Sequence, residues 1–285
     1  DAPVTTADIA QKELTVSGVF TALNKVYDAS TNASINNVTL TLNGTIPGDD
    51  VALTAIAAFA NKTVGNAKVV SLTNSTLAGT KAANYSLSFT GAPTSTADIT
   101  KKTLTVSGSF VVADKVYNKT TTASVTTNSL TLVGVETGDI VYLSPIVAFA
   151  DANKGDGKIV TMIGSSSLNE TDAANYSLSL IGAPTAVANI TAKPLTLTGT
   201  FTADNKVYDR TTQAAISSNS LSLVGIETGD VVSLSAGALF ADVNKGESKV
   251  VNLTGSTLTG ISAGNYTVSF TGAPTANANI TAKGL

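Results

Sequence analysis

The sequence has no cysteine, no histidine, no tryptophan and a single methionine. Without cysteine there are no disulfides and no thiol nucleophile. Without histidine there is no Ser-His-Asp or Cys-His catalytic system. Zinc sites built on those two residue types go with them. Charge is scarce too. Asp, Glu, Lys and Arg make up 13% of 285 residues, against roughly 25% in an average globular protein. The net charge is −3 and the few cations are scattered. That is a poor footprint for nucleic acid or for an anionic membrane surface. No run has the apolar length of a membrane helix. Neither nucleic-acid binding nor membrane insertion is expected. The chain starts at Asp1 and shows no signal peptide, as expected of a part of something longer.

What is present is repetition. Tyr27, Tyr117 and Tyr208 are 90 and 91 residues apart, and Phe20, Phe110 and Phe201 keep the same intervals. Gly48, Gly138 and Gly229 do so as well, and Asn-Tyr pairs recur at Asn84, Asn175 and Asn265. The chain is three copies of a unit of about 90 residues, a length that suits a domain better than a solenoid repeat. The boundaries read as repeat 1 over 10–100, repeat 2 over 101–191 and repeat 3 over 192–281. Residues 1–9 match the last strand of a preceding repeat, and 282–285 the start of a following one.

Within each copy apolar residues alternate with Thr and Ser, the period of a half-buried strand. Leu104/Val106, Leu130/Leu132, Val141/Leu143 and Val160/Met162 show it in repeat 2. About seven short antiparallel strands per copy, split by Gly, Asn and Asp turns, predict an all-β chain of three tandem immunoglobulin-like β-sandwich domains arranged end to end. Mixed β-grasp-like domains are the alternative, but they need a helix of about ten residues, and no amphipathic stretch supplies one. Helical turns are expected only just before each Asn-Tyr. The junctions "TKKT" and "TAKP" are not flexible tethers, so stiff connections are expected.

The recurring order "KVYD…TT", "GD", "ANY" and "A-IT-K-LTV-G-F" resembles the YDG repeat of large bacterial surface proteins, a relative of the MBG repeats. The resemblance covers all three copies. The family usually has Gly after Tyr-Asp; here Ala29, Lys119 and Arg210 stand there, and Asn118 replaces the Asp in repeat 2. Such repeats occur in long secreted adhesins, so the resemblance implies a bacterial cell-surface, extracellular location and a mechanical role rather than a catalytic one.

Candidate sites are few. One acid recurs at the same register in all copies, Asp49, Asp139 and Asp230 of the Gly-Asp turn. A single turn carboxylate reads as local backbone capping, so no enzyme activity and no cofactor are expected, with calcium the one candidate. Asp151, Asn153 and Asp156 in repeat 2, and Asp242 and Asn244 in repeat 3, alternate like calcium ligands. Gly155 and Gly246 stand where the third ligand belongs, so a polar hairpin loop is the competing reading. Lys25, Lys115 and Lys206 lie two residues before the repeated Tyr and share its face. They read either as partners of Asn84, Asn175 and Asn265 in isopeptide bonds or as lysines that snorkel to a sheet edge. Asp28 and Asp209 face the other way by parity.

Phe20, Tyr27, Phe59 and Tyr85 are the expected core of repeat 1. Phe110, Tyr117, Phe149 and Tyr176 repeat them in copy two, and Phe201, Tyr208, Phe240 and Tyr266 in copy three. Tyr142, aligned with Ala52 and Ser233, is expected to face solvent. The expected role is a stiff spacer in the stalk of a bacterial adhesin. Repeated weak glycan- or protein-binding modules, or a filament subunit pairing through strand edges, are the alternatives. Expected partners are the neighbouring repeats and other copies, laterally or end to end.

Overall fold

A computed structural model describes residues 4–284. The chain is all-β, in three tandem repeats. Among the described residues the helical segments are three single 3-10 turns, Ala82–Asn84, Ala173–Asn175 and Ala263–Asn265. They lie where the sequence places them, and no helix of β-grasp length accompanies them.

Repeat 1 shows the plan. Its strands are β1 (Lys12–Ser17), β2 (Thr21–Ala22), β3 (Lys25–Val26), β4 (Asn32–Ala33), β5 (Ile35–Asn36), β6 (Thr41–Asn43), β7 (Ala52–Thr54), β8 (Ala57–Phe59), β9 (Gly65–Leu72), β10 (Thr76–Ala78), β11 (Tyr85–Ser88) and β12 (Thr94–Thr100). One sheet runs β11-β1-β6 and a larger one β3-β12-β9-β8-β4, with the pairs β10-β7 and β2-β5 beside them. Alternation sets the faces. In β1, Leu14 and Val16 are buried and Glu13 and Thr15 turn away.

Two expectations change here. The strands are shorter and more numerous than seven, and not all are antiparallel. β1 pairs in parallel with β11, Leu14 opposite Leu87, and β3 in parallel with β12, Lys25 opposite Ile99. Residues 4–9 form no strand. Their counterpart β12 is held by β9 and β3 of its own repeat, and 4–9 have no such neighbours in the described chain. Residues 1–3 and 285 of the two end assignments lie outside the described residues.

Compactness does not follow the repeat boundaries. The described residues fall into two compact units. The first runs to Gly108 and adds Leu130–Pro145 and Gly164–Ala183. The second comprises Ser109–Ser129, Ile146–Ile163 and the described chain from Pro184 on. The first unit thus joins repeat 1 to part of repeat 2, and the second joins the rest of repeat 2 to repeat 3. The core of the first unit shows the continuity: Val16, Phe20, Tyr27, Phe59, Val70 and Ile99 run on into Leu104, Val141 and Tyr176. In the second, Leu197, Phe201, Phe240, Val251, Leu253 and Ile280 form the core around repeat 3.

Of the twelve expected core aromatics, all but Tyr208 are buried; Tyr208 is half-buried. The reason lies in what closes over its counterparts, which is the next repeat.

Candidate functional site

The site is built from three turns and five tyrosines. In repeat 2, Glu136, Thr137, Gly138 and Asp139 make a tight turn closed by Asp139 N–H donating to the Glu136 carbonyl at 3.1 Å. Gly138 has φ +91°, a left-handed conformation that glycine enters without strain. The turn aims Asp139 at Tyr176, which follows the 3-10 turn. The Tyr176 hydroxyl accepts from Glu136 N–H at 3.0 Å and donates to Asp139 Oδ2 at 2.7 Å. The same clip recurs in repeat 3, from Tyr266 to Asp230 at 2.6 Å, and in repeat 1, from Tyr85 to Asp49 at 2.5 Å.

At the two junctions the clip gains donors from the preceding repeat. Tyr27 donates its hydroxyl to the same Asp139 Oδ2 at 2.7 Å, and Lys62 reaches Oδ1 at 3.2 Å. The Tyr27 and Tyr176 rings meet edge to face, centroids 5.3 Å apart at 77°. In the second unit Tyr117 donates to Asp230 Oδ2 at 2.8 Å and Lys119 to Oδ1 at 3.1 Å. There the Tyr117 and Tyr266 rings stand at 5.3 Å and 76°. Each carboxylate therefore receives two hydroxyls and one ammonium, with its side chain 1% exposed at Asp139 and 5% at Asp230. A buried charge is tolerated when it is both paired and hydrogen-bonded.

The protonation equilibria follow. Burial works against the Asp139 carboxylate, but the hydrogen bonds from Tyr176, Tyr27 and Lys62 outweigh it and hold its pKa below the ordinary carboxylate range. The Tyr266 hydrogen bond leads the same downward shift at Asp230, against burial, with Tyr117 and Lys119 adding to it. Burial, then the bond to Asp230, pushes Tyr117 and Tyr266 up to about 12. Tyr27 and Tyr176 are raised in the same way, by burial and then by Asp139.

Further contacts seal each junction. Asn175, buried before Tyr176, accepts from Val64 N–H of repeat 1 at 3.0 Å. Asn265 accepts from Lys154 N–H at 2.8 Å and donates to Asn153 Oδ1 at 3.2 Å. Lys102 and Glu136 pair beside the first junction, and Lys193 and Glu227, at 2.5 Å, beside the second.

These contacts revise the expected sites. The Gly-Asp carboxylate is not a local cap. It is the centre of the clamp, and its recurrence at one register was the signal for it. The lysines weighed for isopeptide bonds have other hydrogen-bond partners, and Asn175 and Asn265 accept from backbone N–H groups across the junctions. Lys25 Nζ donates to Asp28 Oδ1 at 2.7 Å, to the Ser30 carbonyl at 2.8 Å and to the Asn32 carbonyl at 3.0 Å. It also lies 5.4 Å from the centre of the Phe59 ring. Lys206 repeats this with Asp209, Thr211 and Gln213. Lys115 has only Thr120 and Thr122, since Asn118 replaces the carboxylate. Asp28 and Asp209 meet the lysine despite their parity because the strand ends at Val26 or Val207 and the chain turns back.

In the calcium candidates a lysine holds the oxygens. Lys158 reaches both Asp151 oxygens at 2.7 Å, and Lys249 reaches Asp242 at 2.6 Å. Asp151 and Asp242 also cap the N–H groups of Asn153 and Asn244. Asn153 faces Asn265 across the junction, and Asp156 is exposed. Among the described residues no three acidic groups gather as a metal site.

The family-level evidence agrees with this threefold plan. The YDG domain family matches residues 10–96, 100–186 and 191–276. The chain belongs to the YDG domain family. No curated protein matches it. Among solved structures the I9–I11 tandem of titin is similar at a TM-score of 0.23 and 10% identity, over 95% of this chain and 100% of that one. A likeness at that score carries no argument. Within the YDG repeats the residue following Tyr-Asp, or Tyr-Asn in repeat 2, is left-handed in all three copies: φ is +59° at Ala29, +62° at Lys119 and +69° at Arg210. That is the physical reason glycine suits the position. Lys119 uses it to aim its ammonium at Asp230. Lys62, which serves Asp139, comes from a different loop, aligned with Ala152 and Val243, so comparison of the copies gives no signal for either cation.

Proposed function

We propose that these YDG repeats form a stiff spacer in the stalk of a long secreted bacterial surface protein, an adhesin, holding a distal region away from the cell. The observation that carries this reading is the carboxylate clamp. The same Tyr-Asp-Tyr arrangement occurs at both junctions, with a cation supplied independently each time. A junction fixed by several short, buried hydrogen bonds resists bending, whereas a tether rich in Gly and Ser does not. The low-charge polar surface suits a segment that should not adhere to anything itself. Catalysis and bound cofactors have no part in the reading.

The binding-module alternative calls for exposed aromatics in line. Tyr142 is 63% exposed, but Ala52 and Ser233 hold its place in the other copies. Clefts of about 380 Å³ in repeat 1 and about 540 Å³ in repeat 3 are lined by aliphatic side chains and small polar groups, with no titratable residue.

The test uses the absence of cysteine. Spin labels at V69C in repeat 1 and Y142C in repeat 2, both exposed, report the first junction. A single narrow distance distribution is expected, broadening when Y27F and D139N are added. A broad distribution in the parent chain overturns the stiff-junction reading.

A further inference from the structure

We infer that each junction is a preformed site of oxidative cross-linking, at which Tyr27 couples to Tyr176, and Tyr117 to Tyr266, when a one-electron oxidant is supplied, the shared carboxylate acting as proton acceptor. The product is a dityrosine, a carbon–carbon bond between two rings that ties consecutive repeats together covalently.

Geometry, composition and burial point the same way. The ring centroids are 5.3 Å apart in both pairs. Within each pair the two hydroxyls end on one oxygen atom. Tyr27 and Tyr176 both donate to Asp139 Oδ2, and Tyr117 and Tyr266 both donate to Asp230 Oδ2. The hydroxyl ends of the rings therefore converge, and the ortho carbons beside those hydroxyls are the ones brought together. Held this way, the two rings react as one molecule, at an effective concentration far above that of chance encounters. The chain has no Cys and no Trp, and its one methionine, Met162, is buried. Tyrosine is thus its most readily oxidised side chain, and the two pairs hold four of the seven tyrosines. All four are buried, so a radical formed on one meets its neighbour before it meets another chain.

The chemistry balances at this site. Loss of one electron makes a phenol strongly acidic, and the carboxylate, already hydrogen-bonded to both hydroxyls, takes the proton in place. It releases that proton to solvent before the second phenol is oxidised. Two equivalents of oxidant thus give two phenoxyl radicals. Their ortho carbons form one carbon–carbon bond. The hydrogens on those two carbons leave as protons, and both oxygens are reprotonated as the rings regain aromaticity. In net, two electrons pass to the oxidant and two protons to solvent.

Photo-oxidation of the full chain, dilute and folded, tests this, with a ruthenium tris-bipyridine complex as the one-electron oxidant and persulfate as the final electron acceptor. Dityrosine fluorescence should appear while the chain still runs as a single chain on a denaturing gel. After proteolysis, mass spectrometry should find one peptide pair joined through Tyr27 and Tyr176 and another through Tyr117 and Tyr266, each lighter by two hydrogens. Y27F should abolish the first link and keep the second, and Y117F the reverse. Y142F, which removes the exposed tyrosine, should change neither. In D139N the yield of the first link should fall at least about tenfold relative to the second, for want of the proton acceptor. Neither link forming, links scattered over Tyr142 and the other tyrosines, or an unchanged ratio in D139N each overturn the inference. If D139N fails to fold, which a thermal melt shows, Y27F and Y117F keep the test decisive. Absence of both links together with narrow spin-label distances would reject this inference and leave the stiff-spacer reading intact.

Discussion

At the scale of single residues, one substitution separates the repeats. The lysine of the YDG motif sits in a cup of carbonyls above a phenylalanine ring in every copy. In repeats 1 and 3 an aspartate closes the cup, and hydrogen bonds from Lys206 and Thr211 draw Asp209 down to about 2. In repeat 2 Asn118 leaves the ammonium without a carboxylate, and burial lowers the pKa of Lys115. Asn118 still caps the loop by accepting from Thr120 N–H at 3.2 Å. N118D should therefore add a charge to a geometry that already exists. A gain of about 0.5–1 kcal/mol is expected in chemical denaturation, kept small because the acid is half exposed, as Asp28 is, and screened by solvent. D28N should lose a similar amount. No gain in N118D would show that the carbonyls alone satisfy the ammonium.

At the scale of elements, the turns decide where the chemistry sits. Ala29 is held at φ +59° with its small side chain half-buried. A left-handed conformation costs an L-residue roughly 1–2 kcal/mol, and glycine's added chain entropy returns about 0.5–1 kcal/mol of that. A29G should stabilise the protein by up to about 1 kcal/mol. K119G relieves the same backbone but removes the cation from Asp230, so thermal melting should show a net loss. Equal responses of the two would disconnect Lys119 from the clamp. The strands themselves were legible, since alternation in "KTLTVSG" correctly buries Leu104 and Val106. Their direction was not. Period two records which side chains face inward but not which neighbour a strand pairs with, so the parallel pairing of β1 with β11 left no trace in the pattern.

At the scale of the whole molecule, the clamps set a pH window. Asp139 and Asp230 have pKa values lowered by folding. Their stabilisation is complete above the unfolded value of about 4 and is lost as pH falls through the depressed folded values. Tyr117 and Tyr266 are raised to about 12. Their contribution is complete below the unfolded value of about 10 and is lost as pH rises through the folded one. Denaturation midpoints should form a plateau between these limits and fall on both sides. In D139N/D230N the acid limb should flatten. An unchanged acid limb in that variant would place the titration elsewhere.

The sequence by itself determined the threefold repetition, the all-β class, the buried faces and the lack of thiol and imidazole chemistry, because those follow from composition and local periodicity. It also marked Asp49, Asp139 and Asp230 as special. Only the tertiary structure decided what the mark meant. Asp139 meets Tyr27 112 residues away, a distance along the chain over which no local pattern acts. The tyrosine of the motif is therefore not a core residue of its own repeat alone. At Tyr27 and Tyr117 the ring packs in the core, but the hydroxyl belongs to the carboxylate of the next repeat. A buried carboxylate at a junction needs donors from both sides, and only packing brings them together.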